Sequence, residues 1–224
     1  AIIIVIALVV VGYFVVSDLM QEGKLQKELE EISNLSNAEE IDMEQIEERL
    51  NRTVTTGDYA VVEKAFKQYL MDSMDNMTLI AQILSDERMI ECLTAENYTE
   101  DGPEFTETKE YLTETKEQLE KLKNEYVQFY TEEKVMSYIN DKGLDEYYID
   151  YYKTNIAGDI LSNDTQLVET SIDDLIQVLD ATEDVINFLA ENKNSWQIED
   201  GNIVFDSDAL SNQYDGLIEK LYEE

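Results

Sequence analysis

Along the chain the spacing of apolar residues changes three times. From Ala1 to Val16 there is no spacing at all: AIIIVIALVVVGYFVV is apolar throughout, and the first charge is Asp18. At about 1.5 Å of rise per residue this run reaches roughly 24 Å as a helix, and continuing through Leu19 and Met20 brings it near the roughly 30 Å hydrocarbon core of a bilayer. Ile and Val are weak helix formers in water, but hydrocarbon offers no partner to an exposed backbone, so a helix is the only open-ended way across. Residues 1–20 are therefore expected to form a hydrophobic anchor helix, transmembrane or buried in a filament core. Its lipid- or filament-facing residues are Ile2, Ile3, Ile4, Val5, Ile6, Leu8, Val9, Val10, Val11, Phe14, Val15 and Val16.

From Ser17 to Glu191 the period is helical. Leu19, Leu25, Leu29 and Ile32 form a loose stripe among charges, which suits a stalk helix leaving the membrane. Ser33–Asp42 is polar, with Asn37 and Glu40 at capping-box spacing, and is expected to be a hinge. Residues 21–41 are thus read as stalk and hinge, and 42–224 as an acidic helical domain. A short helix over Met43–Arg52 presents Met43, Ile46 and Leu50 on one face, and Thr53–Asp58 interrupts it. The helix after that, Tyr59–Leu84, carries the broad stripe Val62, Ala65, Phe66, Tyr69, Leu70, Met77, Ile80 and Leu84, fit for a bundle interior. Ser85–Asp86 marks a bend, Met89, Ile90 and Leu93 continue the stripe, and Ala95–Pro103 reads as a loop.

Glu104 to Asn140 reads as one long helix that starts with Pro103 in its first turn. Phe105, Leu112, Leu119, Leu122, Tyr126, Phe129, Met136 and Ile139 make an a/d seam, with Thr108 and Thr115 at d positions and Glu133 at an a position. Those polar intrusions favour a bundle helix over a free-standing dimeric coiled coil. After a break at Asp141–Leu144, the helix from Asp145 to about Ile160 bears Tyr147, Tyr148, Tyr151 and Tyr152. Ala157–Thr165 is expected to be a loop. The heptad resumes over Gln166–Glu191 with Val168, Ile172, Leu175, Leu179, Val185, Ile186 and Leu189, and Ser162 or Asp164 is placed to cap it.

The period then falls to two. Trp196-Gln-Ile198 and Ile203-Val-Phe205 flank Asp200-Gly201, a dipeptide favoured in type I′ turns. That turn pairs Glu199 with Asn202, Ile198 with Ile203 and Trp196 with Phe205, which puts four apolar side chains on one face. An isolated hairpin is marginal in water, so this face must lie on helices. A helix over Asp208–Tyr222 follows. The expected fold is all-α: the N-terminal transmembrane or filament-core helix, a stalk, then an antiparallel helical bundle with a small C-terminal β-hairpin at 196–205.

Charge narrows the partners. Against 16 Lys and Arg stand 51 Asp and Glu, a formal charge of −35, which repels nucleic acid and anionic lipid heads alike. The chain has no His, which removes the usual general base, the Ser-His and Cys-His pairs and His-ligated metals. A single cysteine, Cys92, sits among Met89, Ile90 and Leu93 as a buried hydrophobe and allows no intrachain disulfide. There is no Gly-rich phosphate loop, and the Asp200–Asp208 region lacks the ligand order of an EF-hand. No catalytic residue, cofactor or metal ligand is assigned, and the chain is read as non-enzymatic.

Two patterns point to surface roles. Asn-x-Ser/Thr occurs at Asn34, Asn51, Asn76, Asn97 and Asn163, candidate glycosylation sites that favour an extracytoplasmic placement. Tyr147, Tyr148, Tyr151 and Tyr152 either contact a partner or wrap the edge of a core with their hydroxyls in water.

The chain opens on Ala1 rather than Met, so a leader is expected upstream. If it is uncleaved, the chain is a signal-anchored extracytoplasmic interaction or scaffold protein of the cell envelope, held in the bilayer and meeting protein partners. If it is cleaved, copies assemble through their N-terminal helices. In that second form the opening, from Ala1 to about Glu30, resembles the general layout of type IV pilin-like subunits. It departs from them at Val5, where bacterial type IV pilins usually carry an acidic residue. The resemblance implies a surface filament subunit. A ligand-sensing ectodomain is the third reading.

Overall fold

A computed structural model describes residues 20–36 and 42–221. The anchor run Ala1–Val16 and the Asn37–Glu40 capping pair lie outside the described residues. What is described is mostly helical and ends in an antiparallel two-stranded hairpin followed by one helix. In chain order the helices are α1 Met20–Ser36, α2 Met43–Asn51, α3 Asp58–Leu84, α4 Arg88–Glu91, α5 Ala95–Glu100, α6 Thr106–Phe129 and α7 Glu132–Ser137. Then come α8 Glu146–Tyr152, a π-helical turn Lys153–Ala157, α9 Gly158–Leu161, α10 Gln166–Glu191, strands β1 Trp196–Glu199 and β2 Asn202–Phe205, and α11 Asp208–Lys220. Among the described residues no helix is long and apolar enough to cross a membrane. The chain divides into two compact units, one formed by the described residues through Ala81 with Leu122–Val168, the other by Gln82–Lys121 with Glu169 onward.

In the first unit α1 packs into a core. Leu25, Leu29 and Ile32, the stripe expected to leave the membrane, are buried in one core with Ile46 and Leu50 of α2, Val62, Phe66 and Tyr69 of α3, Val135 and Ile139, and Tyr152 and Ile156. The stripe needs an apolar cover, and α2 and α3 supply it. Asp42 caps α2 by accepting from the Gln45 amide at 3.0 Å.

A second bond system ties α1 to its neighbours. Lys67 of α3 is buried with Glu28 of α1 and Glu63 of α3. Its Nζ donates to Glu28 Oε1 at 3.0 Å, to the Arg49 carbonyl at 2.7 Å and to the Arg52 carbonyl at 3.1 Å, and lies 2.8 Å from Glu63 Oε1. The ammonium therefore caps the last carbonyls of α2 as well as neutralising two acids. Glu63 in turn accepts from the Val54 and Thr55 amides and the Thr55 hydroxyl, which fixes the loop between α2 and α3. Arg49 and Arg52 reach Glu28 from the rim. Burial alone raises a carboxyl's pKa, but in both acids it is outweighed: by Arg52 and Lys67 at Glu28, and by Lys67, Thr55 and Val54 at Glu63. Both carboxyls end below their ordinary value.

The second unit corrects two expectations. Residues Ala95–Pro103 are not a loop, because Thr94 accepts from the Asn97 amide at 3.3 Å and starts α5, whose Tyr98 is buried. Pro103 does not open the next helix either. The Asp101 carboxylate does so, accepting from the Glu107 amide at 3.1 Å, the Thr108 amide at 2.8 Å and the Thr108 hydroxyl at 2.7 Å. Gly102 is required where it stands, since a Cβ there would lie 2.2 Å from the Tyr98 carbonyl oxygen.

The long helix expected over Glu104–Asn140 is two helices. The Thr131 hydroxyl accepts from the Lys134 amide at 3.3 Å and donates to the Gln128 carbonyl at 2.8 Å, which ends α6 and caps α7. All eight apolar seam positions are nonetheless buried, as are Thr108 and Thr115, whereas Glu133 is exposed. α10 has the expected bounds, with Asp164 accepting from the Gln166 amide at 2.9 Å.

The hairpin has the expected register, Trp196 opposite Phe205 and Ile198 opposite Ile203, with Asp200 and Gly201 both at positive φ as a type I′ turn requires. Its apolar face is half-buried. Trp196 stacks on Phe105 at 6.0 Å and meets Tyr98 at 6.2 Å, its indole N–H donates to the Leu189 carbonyl at 2.8 Å, and Phe205 contacts Phe188 and Tyr214.

Cys92 is buried, and burial pushes its thiol up to about 11. The thiolate is the reactive form, so iodoacetamide at pH 8 is expected to label Cys92 slowly in the folded chain and at the rate of a free thiol in urea. Equal rates under the two conditions would contradict the burial.

Candidate functional site

The four clustered tyrosines do not share one surface. The chain reverses between α7 and α8 at Asp141 and Gly143, both at positive φ, and α8 then starts with Asp145 as its N-cap residue. On a helix, residues one apart diverge and residues four apart align. Spacing alone would pair Tyr147 with Tyr151 and Tyr148 with Tyr152, yet Tyr151 and Tyr152, at the end of α8, are both buried, and the Tyr152 hydroxyl donates to the Val135 carbonyl at 3.3 Å. Tyr148 is half-buried, and Tyr147 is 53% exposed.

A fifth ring completes the group. Tyr59, in the first turn of α3, meets Tyr148 edge-on at 5.2 Å and 89°, and Tyr151 at 5.7 Å and 81°. Tyr147 and Tyr148 also stand nearly perpendicular, at 5.2 Å and 84°, and the Tyr59 and Tyr147 hydroxyls are 3.4 Å apart. Burial first, then the bond to Tyr147, holds the Tyr59 hydroxyl far above the usual phenol range, and burial pushes Tyr151 up to about 12. Both stay neutral at physiological pH. In sequence the exposed ring is flanked by the exposed acids Asp145, Glu146 and Asp150, and Tyr59 by Asp58. Lys153, the first residue of the π-helical turn after α8, is 2.7 Å from Glu132. The result is a cluster of aromatic rings whose sequence neighbours are acidic.

The sequons fall in unlike surroundings. Asn34 on α1 and Asn51 at the end of α2 are exposed, the latter donating to the Glu47 carbonyl at 2.9 Å. Asn97 donates to the Cys92 carbonyl and Thr108, and Asn163 to the Asp159 and Ile160 carbonyls. Asn76 is buried, with its amide nitrogen 3.3 Å from the Leu122 carbonyl, so a glycan there would have to displace that packing.

Elsewhere, polar groups serve the fold. A cavity of about 280 Å³ in the second unit is lined by Arg88, Cys92, Asn97, Asp101, Thr108 and Tyr111, among others. Arg88 is paired with Asp86 and stacked over Tyr111 at 4.3 Å, Asp101 caps α6, and the Cys92 thiol is protonated. Among the described residues no group of three or more acidic or Cys side chains is placed to hold a metal ion. Neither a protein-family model, nor a curated protein, nor a solved structure matches the chain.

Sequence reasoning missed Tyr59 and the Glu28–Glu63–Lys67 cluster. Tyr59 pairs with a residue 88 positions away, for which the sequence carries no local signal. The cluster did leave one: Glu63 and Lys67, four apart, are interleaved with the apolar Val62, Ala65, Phe66 and Leu70 of α3.

Proposed function

We propose that the chain is a non-enzymatic, single-pass membrane-anchored, extracytoplasmic interaction or scaffold protein of the cell envelope, built as an antiparallel helical bundle behind its anchor. One observation carries this reading: Ala1–Val16 holds no charge, and all 16 basic and 51 acidic residues follow it. An apolar run of that length is stable in lipid or against its own kind, and a surface so acidic is stable in water. The tyrosine corner, with Tyr147 more than half exposed, supports contact with protein partners. Nucleic acid is not among the partners, and no cofactor is assigned.

Flotation tests the placement. The full chain is expected to rise with phosphatidylcholine vesicles in a density gradient, and a variant with Ile4→Asp and Val9→Asp to stay below. A chain that remains monomeric without detergent and floats with no vesicle overturns the proposal. A second reading, a filament subunit polymerising through its N-terminal helix, is favoured by α1: Leu25, Leu29 and Ile32 tie the start of the described chain into a core. Such a tie would couple a shared apolar filament core directly to the acidic surface. Filaments in electron micrographs of sheared surface material would select this reading.

A further inference from the structure

We propose that the corner formed by Tyr147, Tyr148 and Tyr59 takes a cationic side chain, Lys or Arg, from an exposed basic segment of a protein partner. The inference rests on the contact role proposed above and names the partner's chemistry. An aromatic face attracts a cation through its quadrupole, and two rings packed edge to face hold each other in place while an outer face is left for that contact. Tyr147 and Tyr148 have this arrangement at 5.2 Å and 84°, with Tyr147 more than half exposed. Asp145, Glu146 and Asp150 add negative charge on the same short helix, all three exposed. Lys153, which would oppose a cationic visitor, lies against Glu132.

The chain already uses this contact elsewhere, with Lys134 4.9 Å from the centre of the Phe129 ring and Arg88 4.3 Å from that of Tyr111. Among the described residues the rings that carry such a cation are Tyr111, Phe129 and Tyr138, and Tyr147 is not one of them. With 16 basic residues against 51 acidic ones, a second copy of this chain is a poor source of that cation, and a basic partner is a good one.

The test titrates the full chain, in a neutral detergent at about 0.15 M salt to screen diffuse attraction, with a labelled, capped Gly-Arg-Gly-Arg-Gly peptide followed by fluorescence anisotropy. Tyr147→Ala is expected to weaken binding about tenfold, the scale of one cation–π contact, while Tyr147→Phe stays within about twofold because the ring rather than the hydroxyl attracts. Asp145→Asn with Glu146→Gln should weaken it severalfold, and Asp173→Asn with Asp174→Asn, on α10, should leave it unchanged. The inference is overturned if the peptide does not bind, if Tyr147→Ala binds as the wild type does, or if the α10 pair weakens binding as much as the α8 pair. It is also overturned if a neutral oligosaccharide binds the corner in the peptide's place with no dependence on Asp145 and Glu146. A chain that floats with vesicles yet ignores the peptide loses this inference and keeps the proposed placement.

Discussion

Lys67→Met is expected to destabilise the first unit by about 3–5 kcal/mol at pH 7, the cost of removing one partner from a buried ion pair. The substitution keeps the side chain's bulk and removes only the ammonium, which leaves Glu28 and Glu63 charged, buried and short of a counter-ion. Some of the loss is local to α2, whose Arg49 and Arg52 carbonyls lose their donor. The pH dependence follows from the direction of the two shifts. Both carboxyls lie below their ordinary 4.5 in the folded chain, so between the folded and unfolded values the unfolded chain binds more protons. Their contribution is complete above about pH 4.5 and is lost as the pH falls through the folded values. Without Lys67 the two acids take up protons more readily, so the deficit of the variant should shrink on going from pH 7 to pH 4. Urea unfolding followed by circular dichroism at the two pH values reads both effects. A deficit below about 1 kcal/mol, or one unchanged with pH, would show that the ammonium is dispensable.

Trp196→Ala is expected to destabilise the second unit by about 3 kcal/mol, the lower end of the range for truncating a large aromatic, because the ring is only half-buried. Two losses combine. The indole no longer covers Phe105 and Tyr98, and the Leu189 carbonyl loses its donor. Trp196→Phe separates them, since it keeps most of the ring contact and forfeits the hydrogen bond, for an expected loss of about 1 kcal/mol. Circular dichroism is the suitable readout for both, because the chain's single tryptophan is the residue replaced. A loss under about 0.5 kcal/mol for the alanine variant would make Trp196 a surface residue.

What could be read from sequence follows the range of the forces involved. The hairpin register was legible because Asp200-Gly201 and the period-two flanks act within ten residues, and α10 because its stripe is long and its ends are marked. α5 was not, since AENYTE looks like a loop until Thr94 caps it and Tyr98 finds a pocket. The break at Thr131 was hidden for a different reason. Phe129 and Met136 remain seven apart across it, so the seam continues while the backbone hydrogen bonding does not. Of the candidate site, Tyr147 and Tyr148 were legible as a cluster. The inward turn of Tyr151 and Tyr152, and the arrival of Tyr59, depend on how α3 and α8 pack, which local spacing does not encode. Buried Glu28 and Lys67 were missed because a charge in a single sequence reads as solvated until its partner is in view.

The tie between α1 and its neighbours sets the path by which tension enters the molecule. A pull on the start of the described chain arrives at Glu28, whose oxygens meet Lys67, Arg49 and Arg52 together. Peeling α1 away would have to separate that carboxylate from three cations at once while drawing Leu25, Leu29 and Ile32 into water. Because these contacts must part together, rupture of α1 from its neighbours should be abrupt.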